Sequence, residues 1–322
     1  MAQRVGSGEF VYEVDERWGQ LPASWTFVDV VGVVVDREDR VYVFNRGAHP
    51  IVIFERDGRL AGAWGEGQFT NPHGLQIGPD GALYTVDNGD HTVRKWTPDG
   101  RLLLTLGTPG RASDTGYAGS LDSLRGGGPF NSPTNCAVAP DGSLYVSDGY
   151  GNCKVHHFSA SGELLRSWGE PGRGPGQFRL VHGICVAPDG AVYVGDRANN
   201  RVQVFSPTGE FLREWADVRQ PDEIHLGPDG QFYVAELGYG GDVPTGGGLG
   251  ARVTVRDAAG TILAAWGDTG DPAAPGNCAA PHGIRVDSHG DLYLGEVTYT
   301  ARISARLVKP SCHCFQKFRR VR

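Results

Sequence analysis

Six stretches of this chain lie over one another without a gap. They read VVGVVVDREDRVYVFNRG, PHGLQIGPDGALYTVDNG, PTNCAVAPDGSLYVSDGY, VHGICVAPDGAVYVGDRA, PDEIHLGPDGQFYVAELG and PHGIRVDSHGDLYLGEVT. They start at Val30, Pro72, Pro133, Val181, Pro221 and Pro281. Self-similarity at a period of about 40 residues marks a repeat architecture, and it constrains the fold more than any single segment can. Within each copy, two short apolar runs flank a turn such as Pro79-Asp80-Gly81, which predicts a β-hairpin. A third strand follows, as in HTVRKWTPDG or RVQVFSPTG, and a fourth, as in RLAGAWGEG or ELLRSWGEPG. Six repeats of four strands predict an all-β, six-bladed β-propeller. The 49 Gly, 20 Pro and single Met suit a chain of short strands and tight turns.

The termini carry a further prediction. GEFVYEVDERWG, near residue 10, has the character of a fourth strand, while the last repeat ends after its third, CFQKFRRV. A closing strand within residues 9–19 is therefore expected to complete the last blade, with the six blades over 27–322 and one domain over 1–322. Such closure leaves no open sheet edge between the first and last blades. The Gly-rich insertions RASDTGYAGSLDSLRGGGP and GYGGDVPTGGGLGA are expected to be loops.

The net charge is −7, and the one basic run is FQKFRRVR at the C-terminal end. That balance argues against a nucleic-acid partner, whose phosphates would need neutralising. No apolar run approaches the roughly 20 residues of a membrane span. MAQRVGSGEFVYEV lacks the apolar segment of a secretory signal. The expectation is a cytoplasmic protein without a membrane partner. Six cysteines include no CxxC pair, and Cys136 and Cys185 read as small core residues in a reducing compartment. Cys312-His313-Cys314 has metal-ligating residue types, but strand alternation would put both thiols on one face and the imidazole on the other.

The repeats differ most informatively at the second residue of each first strand, here called the anchor position. It holds Val31, His73, Thr134, His182, Asp222 and His282. First strands line the central channel of a propeller, and alternate blades of six stand about 120° apart. Histidines in repeats two, four and six would thus converge. Three His with an open fourth position is the arrangement of a catalytic Zn2+, and other divalent transition metals also accept imidazole. The plainer reading of each is a buried side chain bonded to channel water.

An acid ends the second strand in five repeats (Asp87, Asp148, Asp196, Glu236, Glu296), as expected of a scaffold that binds loop amides. Arg46 and Arg197 follow that position in repeats one and four only, and Tyr150 comes one step later in repeat three. Two guanidiniums can clamp a carboxylate, and a tyrosine beside a cation and a metal can act as a base. Surface salt bridges and a packed aromatic are the plainer alternatives. Trp64, Trp168, Trp215 and Trp266 recur in fourth strands and read as packing. GRGPGQF has the glycines of a phosphate loop but no following helix.

The repeats resemble NHL repeats. Together FNRG, NPHGL, VSDGYGN, VHGI, GDRANNRVQVF and PHGI resemble peptidyl-α-hydroxyglycine α-amidating lyase over about residues 27–300. The resemblance implies a zinc held by His73, His182 and His282, a catalytic Tyr150, and Arg46 and Arg197 at the substrate. It implies cleavage of a carbinolamide into an amide and glyoxylate. The family's structural Ca2+ uses an aspartate directly after the third His, and Gly283 here argues against that ion. Gly151 replaces the cysteine of the family's GYCN, so the nearby disulfide is not expected. With no signal and no preceding monooxygenase domain, the expected substrate is not a secreted prohormone. It is a small-molecule or peptide-like α-hydroxy or carbinolamide-like carboxylate, cleaved by a metal-dependent lyase or hydrolase. Two other readings stand beside it. A non-catalytic NHL interaction module would need no metal. A calcium-dependent lactonase would need Glu, Asn and Asp oxygens where the anchor positions offer mainly His.

Overall fold

The computed structural model describes residues 3–238, 250–303, 308–309 and 312–321. The chain is a nearly all-β, six-bladed propeller whose blades are antiparallel sheets of four strands, with a fifth strand on the last. The first strands begin at Val30, Pro72, Pro133, Val181, Pro221 and Pro281, the starts of the six repeats. By contact it divides into two compact units, residues 1–64 with 222–322, and residues 65–221.

The unit of residues 65–221 contains blades two, three and four. Their first strands are Pro72–Ile77, Pro133–Val138 and Val181–Val186, and their second strands Leu83–Asp87, Leu144–Asp148 and Val192–Asp196. Each turn between them is held by an aspartate, as where Asp80 Oδ1 accepts from the Ala82 amide at 3.1 Å. Gly81 then takes φ +78°, which a side chain would oppose. Apolar faces of neighbouring blades interdigitate. Val86, Leu106 and Phe130 pack with Cys136 and Val146, and Val155 and Phe178 pack with Ile184, Val194 and Phe205. Each such fully buried branched or aromatic side chain contributes about 1.5–3 kcal/mol. The first Gly-rich insertion is a loop with one short 3-10 turn, Leu121–Ser123. It is bonded down beside residues 151–152, where the Gly127 amide donates to Asn152 Oδ1 at 3.1 Å and Thr115 donates to the Gly151 carbonyl.

The unit of residues 1–64 and 222–322 contains blades one, five and six, with first strands Val30–Val35, Pro221–Leu226 and Pro281–Val286. Blade six is completed from the N-terminus, with Phe10–Val14 pairing with Phe315–Arg320. The closing strand is shorter than the expected 9–19 and carries a further strand, Arg4–Ser7, on its outer side. Beyond Val14, Trp18 packs on Phe54, Tyr293 and Phe315. The Trp18 indole donates to the Arg56 carbonyl at 2.8 Å. Of the second Gly-rich insertion, residues 238–251, the stretch 239–249 lies outside the described residues.

Residues 312–314 precede the last strand rather than lying on it, which corrects the alternation expected for Cys312-His313-Cys314. His313 Nε2 lies 3.0 Å from Glu296 Oε1, and Cys312 Sγ lies 3.5 Å from the Pro272 carbonyl. Burial pushes both the Cys312 and the Cys314 thiols up to about 12, away from the thiolate a metal takes. All six cysteines are free thiols.

Candidate metal centre

The anchor residues owe their orientation to a backbone irregularity. In blade two Pro72 opposes Asp87 and Gly74 opposes Val86, so His73 is an extra residue in the ladder. The same skip falls on Thr134 in blade three, Val31 in blade one and His282 in blade six. In blade four it spans His182 and Gly183. Such a bulge re-aims the side chain it carries. All six anchor residues are buried.

Acids at the ends of second strands hold these bulges in place. Asp87 accepts from the amides of Thr70 at 2.6 Å and Asn71 at 2.9 Å, just ahead of His73. Asp148 serves the Asn131 amide, Asp196 the Arg179 amide, and Glu296 the amides of Ala279 and Ala280. This is the scaffold role expected of them. Glu236 pairs with Arg252 at 2.8 Å and Arg256 at 2.9 Å.

In the unit of residues 65–221, His73 Nδ1 bonds to the Thr134 carbonyl at 2.6 Å. A carbonyl only accepts, so Nδ1 carries the proton and Nε2 keeps its lone pair. His73 Nε2 lies 3.1 Å from the Tyr150 hydroxyl, and His182 Nε2 lies 3.2 Å from the same oxygen. Arg197 Nη1 donates to that oxygen at 3.3 Å. The single phenol proton can serve only one of the two facing nitrogens. Two imidazoles and a guanidinium thus share one hydroxyl. Gly149 makes this approach possible, since a Cβ there would lie 1.8 Å from the Val181 carbonyl oxygen.

In the other unit, His282 Nδ1 bonds to the Val31 carbonyl at 2.7 Å, which likewise leaves Nε2 unprotonated. Arg46 is one-sixth exposed, with its Nη1 3.3 Å from Asp29 Oδ2 and 3.2 Å from Thr300 Oγ1. Asp29 is fully buried and also accepts the Tyr299 amide at 2.8 Å. Gly283, after the third His, faces Gly32, whose Cα would lie 2.8 Å from a Cβ at that position.

His73, His182 and His282 offer ligand nitrogens that all lie within 4.8 Å of one another, a group that could hold a metal ion. A buried set of three imidazoles, two of them fixed through Nδ1, suits a borderline divalent ion such as Zn2+. Sequence reasoning missed Asp29, Thr300 and Ser147. Ser147 had a visible signal as a hydroxyl in a second strand where other repeats carry Phe44, Val86, Gly195, Ala235 and Gly295.

The NHL repeat pattern matches residues 178–205. NHL repeat-containing protein 3 of Homo sapiens is 30% identical over 241 residues, covering 70% of this chain and 67% of that protein. Peptidylglycine alpha-amidating monooxygenase of Rattus norvegicus is 29% identical over 352 residues, covering 94% of this chain and 33% of the rat protein. Peptidyl-alpha-hydroxyglycine alpha-amidating lyase 2 of Drosophila melanogaster is 27% identical over 271 residues, covering 81% of this chain and 58% of the fly protein. The chain therefore spans about two thirds of the human protein and a third of the rat one. Among solved structures, a streptogramin B lyase superposes with a TM-score of 0.60 at 17% identity, over 96% of this chain and 86% of that one. At that identity the likeness speaks for the propeller fold.

Proposed function

This chain belongs to the NHL-repeat proteins, and on that premise we propose that it is a metal-dependent carbon–nitrogen lyase of the α-hydroxyglycine-cleaving type. The observation that carries the reading is the Tyr150 hydroxyl set against His73 Nε2, His182 Nε2 and Arg197. The likeness to proteins named as amidating lyase and amidating monooxygenase supports it.

His73, His182 and His282 would hold the metal, zinc or another divalent transition ion. When bound, it supplies Lewis-acid polarisation of the substrate's α-hydroxyl oxygen. The chain's residues do the rest. Tyr150 takes the proton from the α-hydroxyl, with the Arg197 guanidinium steadying the phenolate that does so. The freed electron pair forms the carbonyl of glyoxylate, the C–N bond breaks, and the amide nitrogen takes up the proton that Tyr150 removed. Arg46 and Arg197 each present a guanidinium suited to a substrate carboxylate. The substrate class is a small-molecule or peptide-like N-acyl α-hydroxyglycine.

The test is metal analysis of untagged protein, followed by glyoxylate release from N-benzoyl-α-hydroxyglycine. Near-stoichiometric metal with glyoxylate supports the reading. Metal without glyoxylate shifts it to another α-hydroxy carboxylate. A second reading, a non-catalytic NHL interaction module, draws on the likeness to NHL repeat-containing protein 3, whose name carries no reaction. Protein without bound metal would favour it.

A further inference from the structure

Two buried hydroxyls in blade three have no part in the chemistry above, yet both touch the histidine-bearing strands. Thr134 occupies the anchor position of that blade, and its carbonyl orients the His73 ring. Its own Oγ1 turns the other way. It lies 2.9 Å from Ser147 Oγ, 3.0 Å from the Val181 carbonyl and 3.1 Å from the His182 carbonyl. Ser147 Oγ donates to the same His182 carbonyl and receives the Asn135 amide at 3.0 Å. Thr134 and Ser147 are both fully buried.

The bulge explains why hydroxyls stand there. The ladder of blade four skips from Val181 opposite Asp196 to Ile184 opposite Val194, so His182 falls within the bulge. A buried carbonyl outside the ladder needs another donor. Each hydroxyl has one proton to give. Ser147, the closer to the His182 carbonyl, supplies it there. Thr134 then bonds to the Ser147 hydroxyl, to the Ser147 carbonyl at 3.0 Å or to the Val181 carbonyl, so it engages the ring of His73 through its own carbonyl and the backbone of His182 through Ser147.

We propose that Thr134 and Ser147 form a positioning clip that sets the spacing of His73 and His182, and through it the affinity of the site for a divalent transition metal. The proposal rests on the reading of these histidines as ligands. Neither hydroxyl touches substrate, so both are positioning residues. Outer-shell partners of metal-binding histidines govern affinity in this way because an imidazole held off its ligating angle binds weakly.

Thr134→Val removes the hydroxyl, keeps the shape and keeps the carbonyl that holds His73. The measurements are Co2+ affinity by competition with a chelator, the visible spectrum of the Co2+ protein, and the melting temperature of the metal-free protein. The expected result for Thr134→Val is a loss of affinity of about 10–100-fold with an altered Co2+ spectrum. Thr134→Ser should restore both. If Thr134→Val fails to fold, Ser147→Ala carries the same test, because it removes the nearer donor to the His182 carbonyl and leaves the Thr134 backbone alone. A variant that melts lower but binds Co2+ with wild-type affinity and spectrum has lost only a structural bond, and the clip is overturned. Wild-type protein that binds no Co2+ overturns the metal reading itself, which separates the two failures.

Discussion

Blades two, four and six and blades one and three share a bulged first strand and a buried anchor residue, and they use it differently. Blades two, four and six present an imidazole. Blades one and three present the carbonyls of Val31 and Thr134, which bind the Nδ1 of His282 and of His73. The alternation is thus a division of labour rather than ligands set among spectators. Every residue has a carbonyl, so the orienting role leaves the side chain unconstrained, and Val31 and Thr134 can differ. Only histidine has the ligating nitrogen, so the even positions cannot vary in that way.

The sharpest way to break this comparison is to remove a ligating side chain. His182→Ala is expected to abolish stoichiometric metal and reduce glyoxylate release by at least about a thousandfold, since a two-imidazole site holds the ion poorly. Elemental analysis and a glyoxylate assay check it. Next in size is Tyr150→Phe, which should keep the metal and lower kcat by about 10²–10⁴-fold, the usual range for a lost general base. Wild-type turnover in that variant would remove Tyr150 from the mechanism.

The two arginines extend the contrast to residues at one repeat position with different neighbours. Arg197 donates to the Tyr150 hydroxyl, whereas Arg46 is tied to the buried Asp29 and to Thr300. Arg197→Ala should therefore lower kcat as well as raise KM. Arg46→Ala should raise KM alone and also lower the melting temperature, because it leaves the buried Asp29 carboxylate without its charged partner. Steady-state kinetics with thermal melts separate the two patterns.

The smallest expected effect concerns a histidine paired with a carboxylate instead of a carbonyl. Burial by itself would lower the pKa of His313, but Glu296 at 3.0 Å reverses this and holds it above the ordinary 6.5. A raised folded-state pKa means stability that is complete below the unfolded value and lost as pH rises through the folded one. The difference in melting temperature between wild type and His313→Gln should accordingly be largest on the acid side of 6.5 and shrink above it. A difference that grows with pH would contradict the pairing.

Much of the fold was legible because its signals are local and repeated. Hairpin alternation, the Asp-Gly turn and the recurring tryptophan each act within a few residues, so six copies reinforce one another. The same regularity exposed the histidines as exceptions in alternate copies. Less legible was the end of the closing strand at Val14, beyond which Trp18 packs on Phe54, Tyr293 and Phe315, residues far along the chain. A contact between Arg46 and Thr300, 254 residues apart, leaves no pattern in either neighbourhood.

The sequence by itself determined the number of blades, the start of each first strand and which of them carry an imidazole. Tertiary structure alone decided what each imidazole and guanidinium meets. The carbonyls that turn the rings of His73 and His282, the glycine that admits Tyr150 to His182, and the aspartate that claims Arg46 come from other blades or distant loops. Periodicity specifies where a side chain leaves the backbone, but its hydrogen-bond partner depends on which strands the folded chain brings within about 3 Å.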